Sequence, residues 1–150
     1  MEECSVKIYN GSGYPDPKFE SAGASGVDLR AAIDKSVTLW PGVVCTIPTG
    51  IRCEIQEGFE GQVRARSGLA LKHGISLVNG VGTIDADYRG EISVILINLK
   101  KSCYTVKPGE RIAQLVFAPI ARPVFTKVSS PEELEETDRG AGGFGHSGKN

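Results

Sequence analysis

The dense, regular spacing of turn-forming residues limits the fold of this chain more than any other feature. Glycine supplies 19 of its 150 residues, against an average of roughly 7% in proteins. Pairs such as Pro41-Gly42, Thr49-Gly50 and Pro108-Gly109 separate short apolar runs. Short runs punctuated in this way are typical of strands joined by tight turns. The sequence therefore predicts an all-β sandwich or barrel and argues against a helical bundle.

We expect a strand at each apolar run, namely at 5–9, 27–31, 37–39, 43–48, 51–55, 59–66, 75–78, 91–98, 104–106, 111–118 and 124–128. The run at 91–98 is apolar on both faces, which predicts burial on both sides, in a sandwich or at a subunit contact. One short helical turn is expected at 67–74, with Ser67 as its N-cap and Gly74 at its end. A capping box formed by Ser130 and Glu133 predicts a second short turn.

Composition excludes several classes of function. The net charge of −1 and the pI near 6.1 give no basic field, so no nucleic-acid partner is expected. No apolar run is long enough to cross a membrane, and the acidic start does not match a secretory signal. The four cysteines show no CxxC spacing, which indicates reduced thiols. We therefore expect a cytoplasmic protein without a membrane partner.

Residues 82–90 carry more chemistry than a turn requires. Asp85, Asp87, Tyr88 and Arg89 lie between glycines, with apolar runs at 75–78 and 91–98 on either side. This pattern predicts a β-hairpin with polar groups at its tip. From this segment alone two interpretations stay open: a polar turn whose aspartates bond their own backbone, or part of a functional site.

Three separated segments could bind phosphate. Arg66, Ser67 and Gly68 combine a guanidinium, a hydroxyl and free backbone N–H groups at a predicted helix start. Gln114 could donate amide hydrogens from a strand, and Arg139 lies in a glycine-rich tail. Taken singly, each residue is better explained as a surface charge, a helix cap or a strand-edge partner.

The chain changes character after its last predicted strand. Residues 139–148 are half glycine, so they can bury little surface. We expect one β domain at 1–128 and a flexible C-terminal arm at 129–150. One arginine and one aromatic residue among glycines, Arg139 and Phe144, would suit an arm that closes over a planar anion.

Five segments together resemble the motifs of the trimeric dUTP nucleotidohydrolases (dUTPases), and they occur in the family's order. They read AGASGVDLRAA at 22–32, RARSGLALK at 64–72, NGVGTIDADYRGEI at 79–92, PGERIAQLVF at 108–117 and RGAGGFGHSG at 139–148. The ending FGHSG looks like bacterial members. One departure is Ala65, where many members have proline, and it should affect loop stiffness more than chemistry.

The resemblance implies a β-clip or distorted jelly-roll body assembled as a homotrimer, with active sites shared between chains. The implied reaction is Mg²⁺-dependent hydrolysis of dUTP to dUMP and pyrophosphate. That reaction keeps uracil out of DNA and supplies dUMP for thymidylate synthesis.

By motif position, Asp85 resembles the catalytic carboxylate that activates water, and Tyr88 resembles the residue that packs against deoxyribose and excludes ribose. Asp28 resembles an aspartate that acts on magnesium through water. Asp87 is either a second electrostatic contributor or a turn former, and we favour the turn former. Arg89 and Arg111 are interpreted as structural residues. The other implied substrate contacts are Asn79, Val81, Gly82, Thr83 and Ile84 for uracil, Arg66, Ser67, Gly68, Gln114 and Arg139 for phosphates, and Phe144 and Gly145 on the arm.

Two rival functions remain at this point. A dCTP deaminase would share the fold but would use different catalytic residues. A non-catalytic nucleotide sensor could keep the pocket, although an intact Asp85 argues against it. Pyrophosphate release from dUTP distinguishes the three possibilities.

Overall fold

The computed structural model describes residues 3–143. Within them the chain forms ten β-strands, one α-helix and one 3₁₀-helix. In chain order these are β1 Val6–Asn10, β2 Gly26–Arg30, β3 Val37–Leu39, β4 Val44–Ile55, β5 Phe59–Ala65, α1 Ser67–His73, β6 Ile75–Leu77, β7 Gly82–Ile84, β8 Ile92–Asn98, β9 Tyr104–Val106, β10 Arg111–Pro119 and the 3₁₀-helix Pro131–Glu133.

The strands form two four-stranded sheets and one small two-stranded sheet. The first sheet has the order β1-β4-β8-β6, the second β2-β10-β5-β7, and β3 pairs with β9. All of these pairings are antiparallel. The all-β prediction is therefore confirmed.

Inward-facing residues of both sheets form one hydrophobic cluster. Leu29 and Leu115 come from the second sheet, Ile47 and Val94 from the first, and each is almost completely buried. Burial of each such side chain stabilises the fold by about 1.5–3 kcal/mol. The alternating apolar pattern of the short strands thus creates a common core, which fixes the sheets that carry the polar loops.

One predicted interruption between two strands is wrong. We expected two strands at 43–48 and 51–55, but β4 runs through both as a single strand of 12 residues. The irregularity in its pairing with β8 lies between Pro48 and Ile51. There the buried Thr49 hydroxyl donates to the Ile92 carbonyl at 2.6 Å, and the Gly50 N–H donates to Glu91 at 2.7 Å. The turn signal marks a bulge, because side chains replace the missing backbone pairs.

The helix at 67–74 is present, but its predicted N-cap is wrong. Arg66 occupies the N-cap position with extended backbone, and Ser67 is the first helical residue. Gly74 ends the helix with φ 65°, as predicted, and its N–H bonds back to the helix. The capping box near the C-terminus is also confirmed, since Glu133 accepts hydrogen bonds from the N–H groups of Ser129 and Ser130.

The final predicted strand, at 124–128, is wrong. Those residues have no regular secondary structure, and the Val124 and Phe125 side chains are 94% and 89% exposed. A β-prone sequence does not form a strand without a neighbouring edge to pair with. Within residues 3–143 this segment pairs with no strand.

The predicted hairpin is confirmed in its stem and differs at its tip. β6 pairs with β8 through Ile75 with Asn98 and Leu77 with Leu96. The residues between them are more than a turn, because β7 crosses to the second sheet and pairs with β5. The connection therefore links the two sheets before the chain returns to β8.

Only one face of β8 is fully buried within the chain. Ile92, Val94 and Leu96 are buried, whereas Ile95 and Ile97 on the other face are half-buried and Ser93 is exposed. Of the two predicted explanations for this doubly apolar strand, the sandwich accounts for one face only.

Within residues 3–143 no helix is long and apolar enough to cross a membrane. The four cysteines, all of which lie in this part of the chain, form no disulfide bond. Burial raises the pKa of the Cys53 thiol.

The bulge in β4 predicts a glycine requirement at position 50. Gly50 has φ 70°, and an added Cβ would lie 2.7 Å from the Ser12 backbone nitrogen. We expect Gly50→Ala to lower the free energy of unfolding by about 2 kcal/mol or more, through strain and steric conflict. Urea denaturation at fixed protein concentration measures this loss.

Gly42→Ala is the matched control, because Gly42 has φ 74° with open space around the new Cβ. It should lose only the conformational part, about 1 kcal/mol. Equal losses in the two variants would contradict the steric role of the Ser12 contact.

Candidate functional site

Asp28, on the edge strand β2 of the second sheet, forms ion pairs with two arginines. Its Oδ1 lies 3.0 Å from Arg66 Nε, and its Oδ2 lies 3.0 Å from Arg111 Nη1. The Asp28 side chain is only 18% exposed, so water screens these ion pairs less than it would on an open surface. Arg111, which we interpreted as structural, does fix this carboxylate. Arg111 also approaches Glu20 at 3.7 Å.

Arg66, the residue just before α1, is held in place by partners on β2 and β10. Besides Asp28, it donates through Nη1 to the Arg111 carbonyl at 3.1 Å. Ser67 and Gly68 follow as the first two residues of α1, and both are exposed. An oriented guanidinium, a hydroxyl and a side-chain-free backbone therefore share one surface.

Gln114 lies on β10 opposite Asp28 of β2. Its amide nitrogen donates to the Ala65 carbonyl at 3.1 Å, which is the strand-edge role considered in the sequence analysis. The second amide hydrogen remains available, since a primary amide carries two.

These predicted phosphate-binding residues lie together around one cavity of about 480 Å³. Five further residues line this cavity to which the motifs assign no substrate role, and Leu69 is the buried one among them. Lys72 and His73 lie in the last turn of α1, and Glu110 lies in the turn before β10. Tyr104 gave no signal, because it lies outside all five motifs. The complete lining is Asp28, Arg66, Ser67, Gly68, Leu69, Lys72, His73, Tyr104, Glu110 and Gln114.

Asp85 follows β7 at the start of a tight turn. The Tyr88 N–H donates to the Asp85 carbonyl at 3.1 Å, so Ala86 and Asp87 occupy the middle of the turn. The Asp85 side chain is exposed. Asp87 therefore occupies a turn position, as we interpreted it, and Arg89 closes the turn by donating to the Ala86 carbonyl at 2.7 Å.

Tyr88 lies across the backbone of the residues that follow it. Its hydroxyl donates to the Glu91 carbonyl at 3.0 Å. A Cβ on Gly90 would lie 2.2 Å from the Tyr88 oxygen, so only glycine allows this approach. The ring is 44% exposed and presents a flat apolar face beside Asp85.

A second cavity, of about 350 Å³, contains most of the predicted base-binding residues. Asp85 and Tyr88 lie on its wall, together with the edge strand β7. Val81, the remaining predicted contact, is exposed and adjoins this wall without lining the cavity in the described chain. The lining residues are Thr46, Val63, Asn79, Gly82, Thr83, Ile84, Asp85, Tyr88, Glu91, Ile92, Ser93 and Ile95.

The two cavities share no lining residue, so one chain does not bring the phosphate and base groups into a common pocket. Arg139 is exposed and borders neither cavity, and its Nε donates to the Gly142 carbonyl at 2.7 Å. Phe144 and Gly145 lie outside the described residues.

The described residues fit a water-mediated metal site better than a direct one. Within residues 3–143 no group of three or more His, Cys, Asp or Glu side chains could hold a metal ion. Asp28 is the one predicted metal contact, and each of its oxygens already accepts from an arginine. A carboxylate oxygen keeps a second lone pair, so it can still accept from a metal-bound water. This suits Mg²⁺, which usually keeps several waters.

A family model described as dUTPase matches residues 12–148. A deoxyuridine 5'-triphosphate nucleotidohydrolase of Chlamydia pneumoniae is 55% identical over 137 residues, covering 91% of this chain and 93% of that protein. The enzyme of the same name from Rhizobium leguminosarum bv. trifolii is 52% identical over 145 residues, covering 95% of this chain and 91% of that protein.

Solved structures agree with these sequence matches. The dUTPase of Staphylococcus bacteriophage 80alpha, bound to dUpNHpp, has a TM-score of 0.80 at 28% identity and covers 99% of this chain and all of that one. The dUTPase of phage phi11 of S. aureus, with a structural Mg(II) ion, shares the fold with a TM-score of 0.73. The predicted resemblance is thus confirmed, and this chain belongs to the dUTPase family, the nucleotidohydrolases that act on deoxyuridine 5'-triphosphate.

Proposed function

We propose that this chain hydrolyses dUTP to dUMP and pyrophosphate, with Mg²⁺ on the triphosphate and Asp85 as general base, in a homotrimer whose chains share each site. The observation that carries the proposal is the second cavity, where Asp85 and Tyr88 lie beside the edge strand β7. The enzyme is a dUTP diphosphatase, and attack occurs at the α-phosphorus.

Asp85 is suited to hold the attacking water. Its side chain is exposed at the end of β7, while its backbone is fixed by the turn to Tyr88. An ionised carboxylate within about 3 Å of a water can accept its proton as the oxygen attacks phosphorus. Phosphoryl transfer otherwise depends on positioning and charge neutralisation, which the phosphate-binding residues supply.

Uracil binds at the free edge of β7. This strand is last in its sheet, so one side pairs with β5 and the other exposes backbone N–H and C=O groups. Those groups at Gly82, Thr83 and Ile84 match the donors and acceptors of uracil, as a partner strand would. Val81 and Asn79 complete this surface. Cytosine presents a reversed pattern and would leave buried groups unpaired.

Tyr88 selects the sugar. Its ring is fixed over Gly90 by the hydrogen bond to Glu91, so it cannot move aside to admit a 2′-hydroxyl. Deoxyribose packs on the exposed ring face, and ribose clashes with it. The wall of the second cavity excludes the methyl group of thymine in the same steric way.

The triphosphate lies in the first cavity. Arg66 is pre-oriented by Asp28, which reduces the ordering cost of binding an anion. Ser67, Gly68 and Gln114 donate beside it. A bound Mg²⁺ would neutralise the charge of the triphosphate, and Asp28 would hold it through water.

A shared site explains why the two cavities are separate in one chain. The half-buried Ile95 and Ile97 on the open face of β8 support a contact between chains, as does the exposed segment at Val124 and Phe125. We propose that the body is residues 1–128 and that the arm, 129–150, closes over a neighbouring site. Arg139 then meets the γ-phosphate, while Phe144 and Gly145 cover the uracil.

The enzyme acts in the cytoplasm, keeps uracil out of DNA and supplies dUMP for thymidylate synthesis. Cysteines that form no disulfide agree with a reducing compartment. The small net charge agrees with a nucleotide substrate in place of a nucleic acid.

Substrate selectivity tests the proposal directly. We expect pyrophosphate release from dUTP with Mg²⁺, and far slower release from dTTP, dCTP and UTP, for the steric and hydrogen-bonding reasons above. Ammonia release from dCTP would favour a deaminase. Absence of turnover at micromolar enzyme would reject the proposal and favour a non-catalytic sensor.

Asp85→Asn should lower kcat by about a hundred- to ten-thousandfold, because the amide cannot accept the proton. Binding of dUpNHpp, measured by calorimetry, should stay close to that of the unaltered enzyme.

Asp87→Asn is the matched control, two residues away in the same turn, and should keep near-normal turnover. A fully active Asp85→Asn enzyme would assign the general base to another residue.

Deletion of residues 139–150 should leave a folded trimer with kcat/KM reduced on the order of a hundredfold, because the arm excludes water and completes the site. Steady-state kinetics and size-exclusion chromatography measure the two outcomes. Full activity after truncation would contradict the lid function of the arm.

A further inference from the structure

The phosphate cavity contains one carboxylate that opposes its proposed ligand. Glu110 lines the same cavity as Arg66 and Gln114. The other acid there, Asp28, is compensated by two arginines. Among the described residues, no cation forms an ion pair with Glu110 within 4.0 Å. A bare carboxylate at this place would repel a triphosphate, so the way in which Glu110 is held matters for substrate binding.

Both oxygens of Glu110 are engaged, and both partners lie on its own side of the cavity. Its Oε1 accepts from the Tyr104 hydroxyl. Its Oε2 accepts from the Lys107 N–H at 2.9 Å, within the turn that joins β9 to β10. The carboxylate is therefore bound to the cavity wall by two neutral donors.

Tyr104 is itself firmly placed. It lies on β9 opposite Leu39, a completely buried residue of β3. The His73 ring packs against its ring, with centroids 4.8 Å apart. Burial raises the pKa of Tyr104, and the hydrogen bond to Glu110 raises it further, so the phenol stays protonated and remains a donor at neutral pH.

We propose that Tyr104 is a positioning residue for triphosphate binding, because its hydroxyl holds the Glu110 carboxylate against the β9–β10 turn and away from the phosphates. The inference rests on the proposed function, in which the triphosphate occupies this cavity. Its physical basis is charge repulsion, which is strong between anions a few ångströms apart in a partly buried site. Tyr104 acts through Glu110 and contacts no reacting atom.

Two ligands distinguish an effect on the phosphate chain from an effect on the nucleoside: dUpNHpp carries three phosphate groups and dUMP carries one. In Tyr104→Phe, Glu110 loses one donor and is free to turn toward the cavity. The dissociation constant for dUpNHpp should then rise roughly three- to thirtyfold. The dissociation constant for dUMP should change little, because dUMP lacks the β- and γ-phosphates.

Calorimetry of both ligands, with KM and kcat for dUTP, provides the test. KM should follow the loss of dUpNHpp affinity, while kcat stays near its original value. Tyr9→Phe is the matched control, since Tyr9 lies exposed on β1 of the other sheet and outside this cavity. It removes a phenol hydroxyl without touching Glu110.

Removal of the Glu110 charge should restore dUpNHpp binding to the Tyr104→Phe variant. In Tyr104→Phe/Glu110→Gln, dUpNHpp affinity should return most of the way, because the freed side chain is now neutral. If Tyr104→Phe fails to fold, Glu110→Asp replaces it, since the shorter acid keeps its charge but cannot reach the Tyr104 hydroxyl. That variant should lose dUpNHpp affinity and keep dUMP affinity.

Equal losses for dUMP and dUpNHpp, or no rescue by Glu110→Gln, would overturn the inference and leave Tyr104 with a packing role. Failure of the unaltered enzyme to hydrolyse dUTP would instead reject the proposed function. The two failures are therefore distinguishable.

Discussion

The ion pairs of Asp28 are the interaction on which the phosphate side of the molecule depends. This one half-buried carboxylate connects β2, the start of β10 and the residue before α1, through Arg66 and Arg111. Without it the Arg66 side chain would keep its bond to the Arg111 carbonyl, and Arg111 its contact with Glu20 at 3.7 Å. Each arginine would then be held less firmly, because long cationic side chains are mobile when exposed. The geometry gives Asp28 an organising function in addition to any water-mediated contact with Mg²⁺. An anion site needs positive charge that is already oriented, and here an acid provides the orientation.

The second cavity depends on where the fold places the backbone of β7. β7 reaches the second sheet as its last strand and leaves one edge without a partner. Exposed edges are usually protected, because they attract other strands. Here the edge lies beside Asp85 and Tyr88 in a cavity suited to a planar base. In the proposed function this exposed edge serves to bind uracil, and Gly90 allows the close approach of Tyr88 that completes the cavity wall.

Local sequence predicted much of the fold because turn chemistry and strand alternation are local properties. The bounds of β3 and β9 matched the predicted ones, as did the glycine at the end of α1. Apart from the N-cap of α1, where Arg66 takes the place predicted for Ser67, the errors involve partners distant in sequence. Thr49 and Gly50 resembled a turn, yet β8 supplies the bonds that keep β4 continuous. Residues 124–128 have strand-forming side chains but pair with no strand in the described part of the chain. Tyr104 gave no signal, because its importance comes from Glu110 and His73.

The sequence by itself determined the family, because five motifs occur in the family's order. Those motifs also supply the residues proposed as general base, sugar-packing ring and phosphate contacts. The sequence also determined an all-β body, since the glycine-rich turns permit little else. Only the tertiary structure decided which of these residues lie in the same cavity. Antiparallel pairing placed Asp28 opposite Gln114, and it placed Asp85 in a different cavity. The physical reason is that strand pairing brings together residues far apart in the chain, and no local pattern records which edges meet.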